Sequence, residues 1–314
     1  MCVAQNGLPV YSDYFAENLF LLHPSMAGAA VKNQIRLTAR QQWFAQQGAP
    51  NLQTVSFNGK LSPRSGFGVV VLNDANGYHA QVGGSLSYAY HLLFSRNEID
   101  LNQLSLGLRA GFIQNRLDET QFNPAIFDPL VAGIIQRDGY LFFDVGFSYN
   151  YLDFSTHFTV KNVFFQSLDA SQQLQTVNQS QYIFSAAYLF TRKQWQLEPS
   201  FLYSFRARTG QMFLDSNLKA FYPMDFGTLW GGLSYRQSFN ATEYLDGSEI
   251  ANQRLQYVTP VIGIRFQKAI FAYTYSYQIG RIQVESGGFH QITLGYNFGK
   301  RKERYSCNCP AVNY

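Results

Sequence analysis

Cysteine is almost missing from this chain. Only three of the 314 residues are cysteines, and Cys2, Cys307 and Cys309 all lie in the terminal stretches, so the body of the fold has no disulfide. Charge is scarce as well: Asp, Glu, Lys and Arg make up 14% of the residues, against about 25% in an average soluble protein. The net charge of +4 is small for this length, and Lys and Arg cluster only between Lys300 and Arg304, which leaves nucleic-acid binding without an electrostatic footprint. Long apolar runs are missing too. No stretch of 18 consecutive apolar residues occurs, so no transmembrane helix is expected.

Aromatic residues, by contrast, are abundant. They reach 17%, with 28 Phe and 21 Tyr, yet the mean hydropathy is only −0.17. A membrane β-barrel reconciles these values, because its strands alternate lipid-facing and lumen-facing side chains and so average to near neutrality.

Period-two alternation runs through the chain and sets the class. Ile35, Leu37 and Ala39 alternate with Arg36, Thr38 and Arg40, and Leu104, Leu106, Leu108 and Phe112 with Ser105 and Arg109. Phe143, Val145, Phe147 and Tyr149 oppose Asp144, Ser148 and Asn150, and the pattern persists to Ile292, Leu294, Tyr296 and Phe298. The count is about fourteen strands, or roughly 22 residues for each strand with its connection, in line with outer-membrane strands of about 9–11 residues plus loops. Short connections are expected near 62–66, 93–98, 152–153, 191–194, 222–225 and 267–269. Long polar ones are expected at 115–139, 163–180 and 237–254, all on the same side. The fold class is therefore all-β, a transmembrane antiparallel barrel with short turns facing the periplasm and long loops facing outward. Trp43, Trp195 and Trp230 suit interfacial girdles.

One stretch fits neither a strand nor a span. Residues 14–30 hold a dense apolar block, then His23-Pro24, then small residues to Ala30. Pro24 and Gly28 would interrupt a regular element. A fourteen-stranded barrel encloses more space than side chains fill, since about eight strands is the size that packs solid. The segment is therefore expected to plug the lumen. The domain reading is an N-terminal segment over 1–30, a barrel over 31–299 and a basic periplasmic tail over 300–314. Met1–Gln5 is read as the stub of a secretory signal, with cleavage before Gln5.

Candidate chemistry is sparse. His23, His79, His91, His157 and His290 are scattered without metal-ligand spacing, and no Gly-x-Ser-x-Gly elbow is present. Neither a metal, a cofactor nor a catalytic residue is expected. Gly83-Gly84 and Gly231-Gly232 open no helix and read as sites of close approach rather than phosphate loops. Arg36, Arg40, Arg109, Arg206, Arg236 and Arg265, with Asp144, Glu198 and Asp215, fall on the lumenal side; they form an internal polar network or contact the plug or a ligand. Cys307-Asn308-Cys309 is a weak metal or redox signal, and a disulfide across so few residues is strained. Phe122, Ile126 and Phe127 in the 115–139 loop and Tyr244 in the 237–254 loop are apolar groups amid polar neighbours, hence candidate partner contacts.

Several of these residues also carry a family likeness. Asn18, His23-Pro24 and Ala27-Gly28 resemble the Phe-Asn…Asn-Pro-Ala-Tyr-Ala-Gly signature of the PorP/SprF family of outer-membrane proteins, with His23 where Asn is usual. Gln42-Trp43-Phe44, Gly48-Ala49-Pro50, Gln53–Phe57, Gly66-Phe67-Gly68, Leu72-Asn73-Asp74 and the closing His290–Phe298 are similar to its later segments. The resemblance implies a barrel akin to fatty-acid transporters of the FadL type, with an N-terminal hatch carrying Tyr14, Phe15, Asn18, His23, Pro24, Ala27 and Gly28. It further implies work in type IX secretion and gliding motility. The implied partners are secreted or surface-adhesin polypeptides, bound through a C-terminal sorting domain, and periplasmic secretion or motility components, in a setting of outer-membrane lipid. Two other functions stay open: transport of small hydrophobic molecules, and a structural barrel coupled to periplasmic motor components.

Overall fold

The computed structural model describes residues 18–42, 48–95, 100–122, 133–167, 180–246, 249–279 and 288–299. Tyr14, Phe15, Trp43, Ile126, Phe127, the three cysteines and the 300–314 tail lie outside them. Fifteen strands form one antiparallel sheet: β1 (Asn33–Gln42), β2 (Asn51–Ser62), β3 (Ser65–Asn76), β4 (His79–Leu93), β5 (Asn102–Asp118), β6 (Ile135–Tyr151), β7 (Phe154–Ser167), β8 (Gln181–Tyr188), β9 (Phe190–Arg192), β10 (Trp195–Arg206), β11 (Met212–Met224), β12 (Gly227–Asp246), β13 (Glu249–Phe266), β14 (Ala269–Ile279) and β15 (Phe289–Phe298). β15 pairs with β1 from Asn33 opposite Phe298 to Gln42 opposite Phe289, which closes the sheet into a barrel.

β8 and β9 are two parts of one wall strand. Both pair with β10 in a single register, Ala187 opposite Ser200 and Phe190 opposite Leu197. The ladder lapses between them beside Pro199 of β10, which has no N–H to donate. The wall therefore has 14 strands, as the periodicity predicts.

Alternation decides which side chains face out. Along β5, Leu106 and Leu108 are exposed while Ser105 and Arg109 are buried, and β1 exposes Ile35 and Leu37 while burying Arg36 and Thr38. An exterior so apolar is no surface for water and matches a lipid-facing band. Aromatic pairs gather at the end with the short turns: Tyr149 on Tyr151, Tyr188 on Phe190, and Trp195 on Tyr222. Trp230 breaks the girdle expectation. It points inward and is fully buried, because Gly263 opposite it has no Cβ to occupy the space its indole takes.

Connections alternate between the two ends. Residues 63–64, 152–153, 193–194, 225–226 and 267–268 are two-residue turns at one end, where Asn33 also begins the wall and Phe298 ends it. Leu152, Lys193 and Gln267 sit there with φ of 50°, 56° and 53°, the left-handed conformation that tight hairpins require. The opposite end carries the long connections 119–134 and 168–180. The expected 237–254 loop is instead a hairpin extension: β12 and β13 continue pairing past an irregularity between Gln237 and Ala241, as far as Asp246 opposite Glu249. Polar composition misled there, because a hairpin standing clear of the bilayer needs no apolar face. Tyr244 is accordingly a strand residue opposite Ala251.

Candidate functional site

Residues 18–31, ahead of β1, lie against the inner face of the wall. Leu19–Leu21 and Pro24–Met26 are short 3-10 turns, the second begun by Pro24, whose ring fixes the first φ and whose missing N–H costs nothing there. Every residue from Asn18 to Val31 except Leu19 is buried. Phe20, Leu21 and Met26 pack with Val70, Leu72, Ile113, Tyr140 and Phe142 on one arc of the wall. Leu22 packs with Ile183, Leu202, Phe221, Trp230 and Val261 on another, and Leu19 touches both groups. Burial stabilises each such large side chain by roughly 1.5–3 kcal/mol.

Polar contacts fix the register of the segment. Arg109 of β5 donates from Nη2 to the Phe20 carbonyl at 2.5 Å and from Nη1 to the Leu21 carbonyl at 2.8 Å. Its Nε donates to Ser87 Oγ at 3.1 Å, and Asp144 lies 3.8 Å away as its counter-ion. His23 sets Nδ1 against Thr159 Oγ1 at 2.9 Å and Nε2 against Ser185 Oγ at 3.0 Å, and its ring stacks on His157 at 5.0 Å. Burial above all, then the positive surroundings of His157, Lys161 and Arg109, pushes the His23 imidazole well below its ordinary pKa, so it is neutral. A neutral ring with one donor and one acceptor suits two hydroxyl partners. Ser25 Oγ meets Ser148 Oγ at 2.6 Å, Asn18 Nδ2 donates to Ser56 Oγ at 3.0 Å, and His91 Nε2 donates to the Ala27 carbonyl at 3.1 Å.

Missing side chains matter as much as those present. A Cβ on Gly66 would fall on the Ala27 carbonyl, on Gly68 against the Phe20 ring, and on Gly107 against the Ser25 backbone. Gly28 has φ +64° with the Gly59 carbonyl and Gly66 Cα against it, so it needs both the left-handed conformation and the empty space.

Of the residues singled out in the sequence, Asn18, His23, Pro24, Ala27 and Gly28 thus come together. Phe122 lies apart, half-buried at the far end and edge-on to Tyr78 at 5.0 Å. Two of the inward arginines meet acids: besides Arg109 and Asp144, Arg236 binds Asp215 through Nε at 2.6 Å and Nη2 at 2.7 Å, whereas Arg36 donates to Asn297 and Arg206 to Gln211. Lys219 pairs with Glu198 at 3.0 Å. Sequence reasoning missed the inward apolar residues, Ile183, Leu202, Phe221 and Trp230 among them, which share one parity with polar neighbours and cannot be told from composition. It also missed Gly66 and Gly107 as the surfaces the segment rests on. Among the described residues, no group of His, Cys, Asp and Glu is arranged to hold a metal ion.

A family described as "Type IX secretion system membrane protein PorP/SprF" matches residues 3–296 of this chain. The chain belongs to the PorP/SprF family. No curated protein matches it in sequence. Among solved structures it is similar to the CymD monoaromatic hydrocarbon channel, with 11% identity, a TM-score of 0.53, and 91% of this chain and 93% of that one covered. A TodX deltaS2S3 mutant, a monoaromatic hydrocarbon channel, matches with 11% identity, a TM-score of 0.51 and coverage of 89% and 94%. CdiB from Acinetobacter baumannii matches at 10% identity and a TM-score of 0.48 over 85% of this chain, which spans only 60% of CdiB. At these identities the likeness is one of fold. This PorP/SprF member is an outer-membrane β-barrel of the type IX secretion family; the family and the barrels it resembles are secretion components and channels.

Proposed function

We propose that the barrel is a closed binding platform, in which residues 18–30 plug the lumen and the outward end captures a secreted or surface-adhesin polypeptide through its C-terminal sorting domain. The observation that carries the reading is the way one short segment touches both apolar arcs of the inner wall while Arg109, His23, Ser25 and Ala27 are hydrogen-bonded to it or through it. Toward the end with the long connections, the inner wall presents Arg40 over the Phe289 ring at 4.0 Å and Arg236 over Phe213 at 4.5 Å. Flat rings carrying guanidinium groups suit a peptide backbone and its carboxylates. The basic tail beyond 299 fits a periplasmic contact, a role that accompanies capture.

Passage of small hydrophobic molecules is less favoured. The buried Arg109 and Asp144 pair sits among the segment's contacts, and an apolar solute passing there would strip both charges of partners. The test is capture of a purified sorting-domain polypeptide by the barrel in detergent. Replacing Phe122 and Phe127 with Ser should weaken capture about tenfold while the barrel stays folded; unchanged capture removes both residues from the contact surface.

A further inference from the structure

Arg116 and Arg137 face each other directly across the β5–β6 ladder. Both side chains point outward and are exposed, on the same face as Phe112 and Phe143. Directly opposed like charges destabilise a sheet, so such a pair asks what neutralises it. Asp118 answers in part. It lies 3.1 Å from Arg116 Nη2, and its other oxygen accepts from Thr120 at 2.5 Å. The nearby acid Glu119 accepts from Gln136 and from the Gly133 N–H at 3.1 Å. Among the described residues, Asp118 is thus the acid set against the pair, and it reaches Arg116.

Height along the wall says where this like-charge pair lies. Arg137 is the third residue of the 17-residue β6, and Tyr151, in the aromatic girdle at the short-turn end, is its last. At about 3.4 Å per residue and a tilt near 45°, the run between them climbs roughly 34 Å. The apolar band of an outer-membrane barrel is about 25 Å tall. The arginines therefore stand above the band, at the level of the outer headgroups, on the side of the barrel that lipid touches.

We propose that Arg116 and Arg137 form an external site for a phosphorylated lipid headgroup of the outer leaflet. A phosphate between them accepts charge-assisted hydrogen bonds from both forks and turns cross-strand repulsion into a bridge, while the acyl chains run down over Phe112, Leu141 and Phe143. Exposed Ile134 and Ile135 beside the pair would meet the sugar or glycerol part of the headgroup.

The experiment uses the full-length barrel in detergent, with lipid A as the probe. Native mass spectrometry should show lipid A retained by the wild type and about tenfold less by the double variant Arg116→Gln/Arg137→Gln. Lipid A should raise the heat-modifiability midpoint of the wild type but not of that variant. Without lipid the variant should be at least as heat-stable as the wild type, because removal of the like-charge pair relieves the sheet. If the double variant fails to fold, Arg137→Gln alone serves with the same readouts. Equal retention by wild type and variant, or equal stabilisation by dephosphorylated lipid A, would overturn the site. Inorganic phosphate alone stabilising as well as lipid A would overturn the lipid assignment in favour of free phosphate.

Discussion

Arg109 illustrates what a single residue does when it is fully buried and still charged. Its forked guanidinium reaches two successive carbonyls of the inner segment, the Ser87 hydroxyl and the Asp144 carboxylate, a geometry Lys could not reproduce. Removing one member of a buried pair strands the other, at a cost of about 3–5 kcal/mol, whereas removing both is far milder. Arg109→Leu should therefore lower the heat-modifiability midpoint strongly, and Arg109→Leu/Asp144→Leu should fall short of the sum of the single changes. An additive double variant would mean that the two residues act independently. His23 makes a pH-dependent counterpart. Its imidazole is held neutral in the folded protein, below its ordinary value, so below about pH 6.5 the unfolded chain binds a proton that the folded one does not. Stability is then present above that pH and is lost progressively as pH falls toward the depressed folded value. Protease protection of the segment should drop over that range, and His23→Asn, which has no group to titrate, should make the profile shallower, with His91 and His157 still beside the segment.

At the scale of elements, the contest is between strands that follow period two and a segment that does not. The wall was readable because each strand must hide its hydrogen bonds from lipid and alternate its faces; Ile35 against Arg36 and Leu108 against Arg109 follow that rule. The unusual character of residues 14–30 was readable from Pro24 and Gly28. What they rest on was not, since Gly66 and Gly107 matter only through a backbone distant in sequence. The inward Trp230 and the long β12–β13 hairpin escaped for a related reason: tertiary neighbours, not local pattern, decide them. The glycine floor gives a direct test of the plug. Gly66→Val and Gly107→Val would drive side chains into the Ala27 carbonyl and the Ser25 backbone while leaving strand propensity improved. The double variant in planar bilayers should conduct ions in large, steady steps where the wild type is closed. A wild type that conducts equally well would remove the sealing role.

The whole molecule adds a constraint that neither residues nor elements contain. An even-stranded closed wall places both of its ends, Asn33 and Phe298, at the same rim, and that rim also carries the two-residue turns. In outer-membrane barrels the short turns face the periplasm, because the chain is inserted from that side and only the far loops must cross. Thr209, in the turn between β10 and β11, then lies outside, and Asp225, in the turn between β11 and β12, lies inside; both are exposed. With the native cysteines replaced by Ser, Thr209→Cys should react with a membrane-impermeant maleimide on intact cells. Asp225→Cys should react only after the outer membrane is opened. Reaction at both positions on intact cells would mean a leaky envelope, which labelling of a periplasmic marker detects. Labelling of Asp225→Cys alone would invert the barrel, taking the capture surface and the external lipid site to the wrong side of the membrane together.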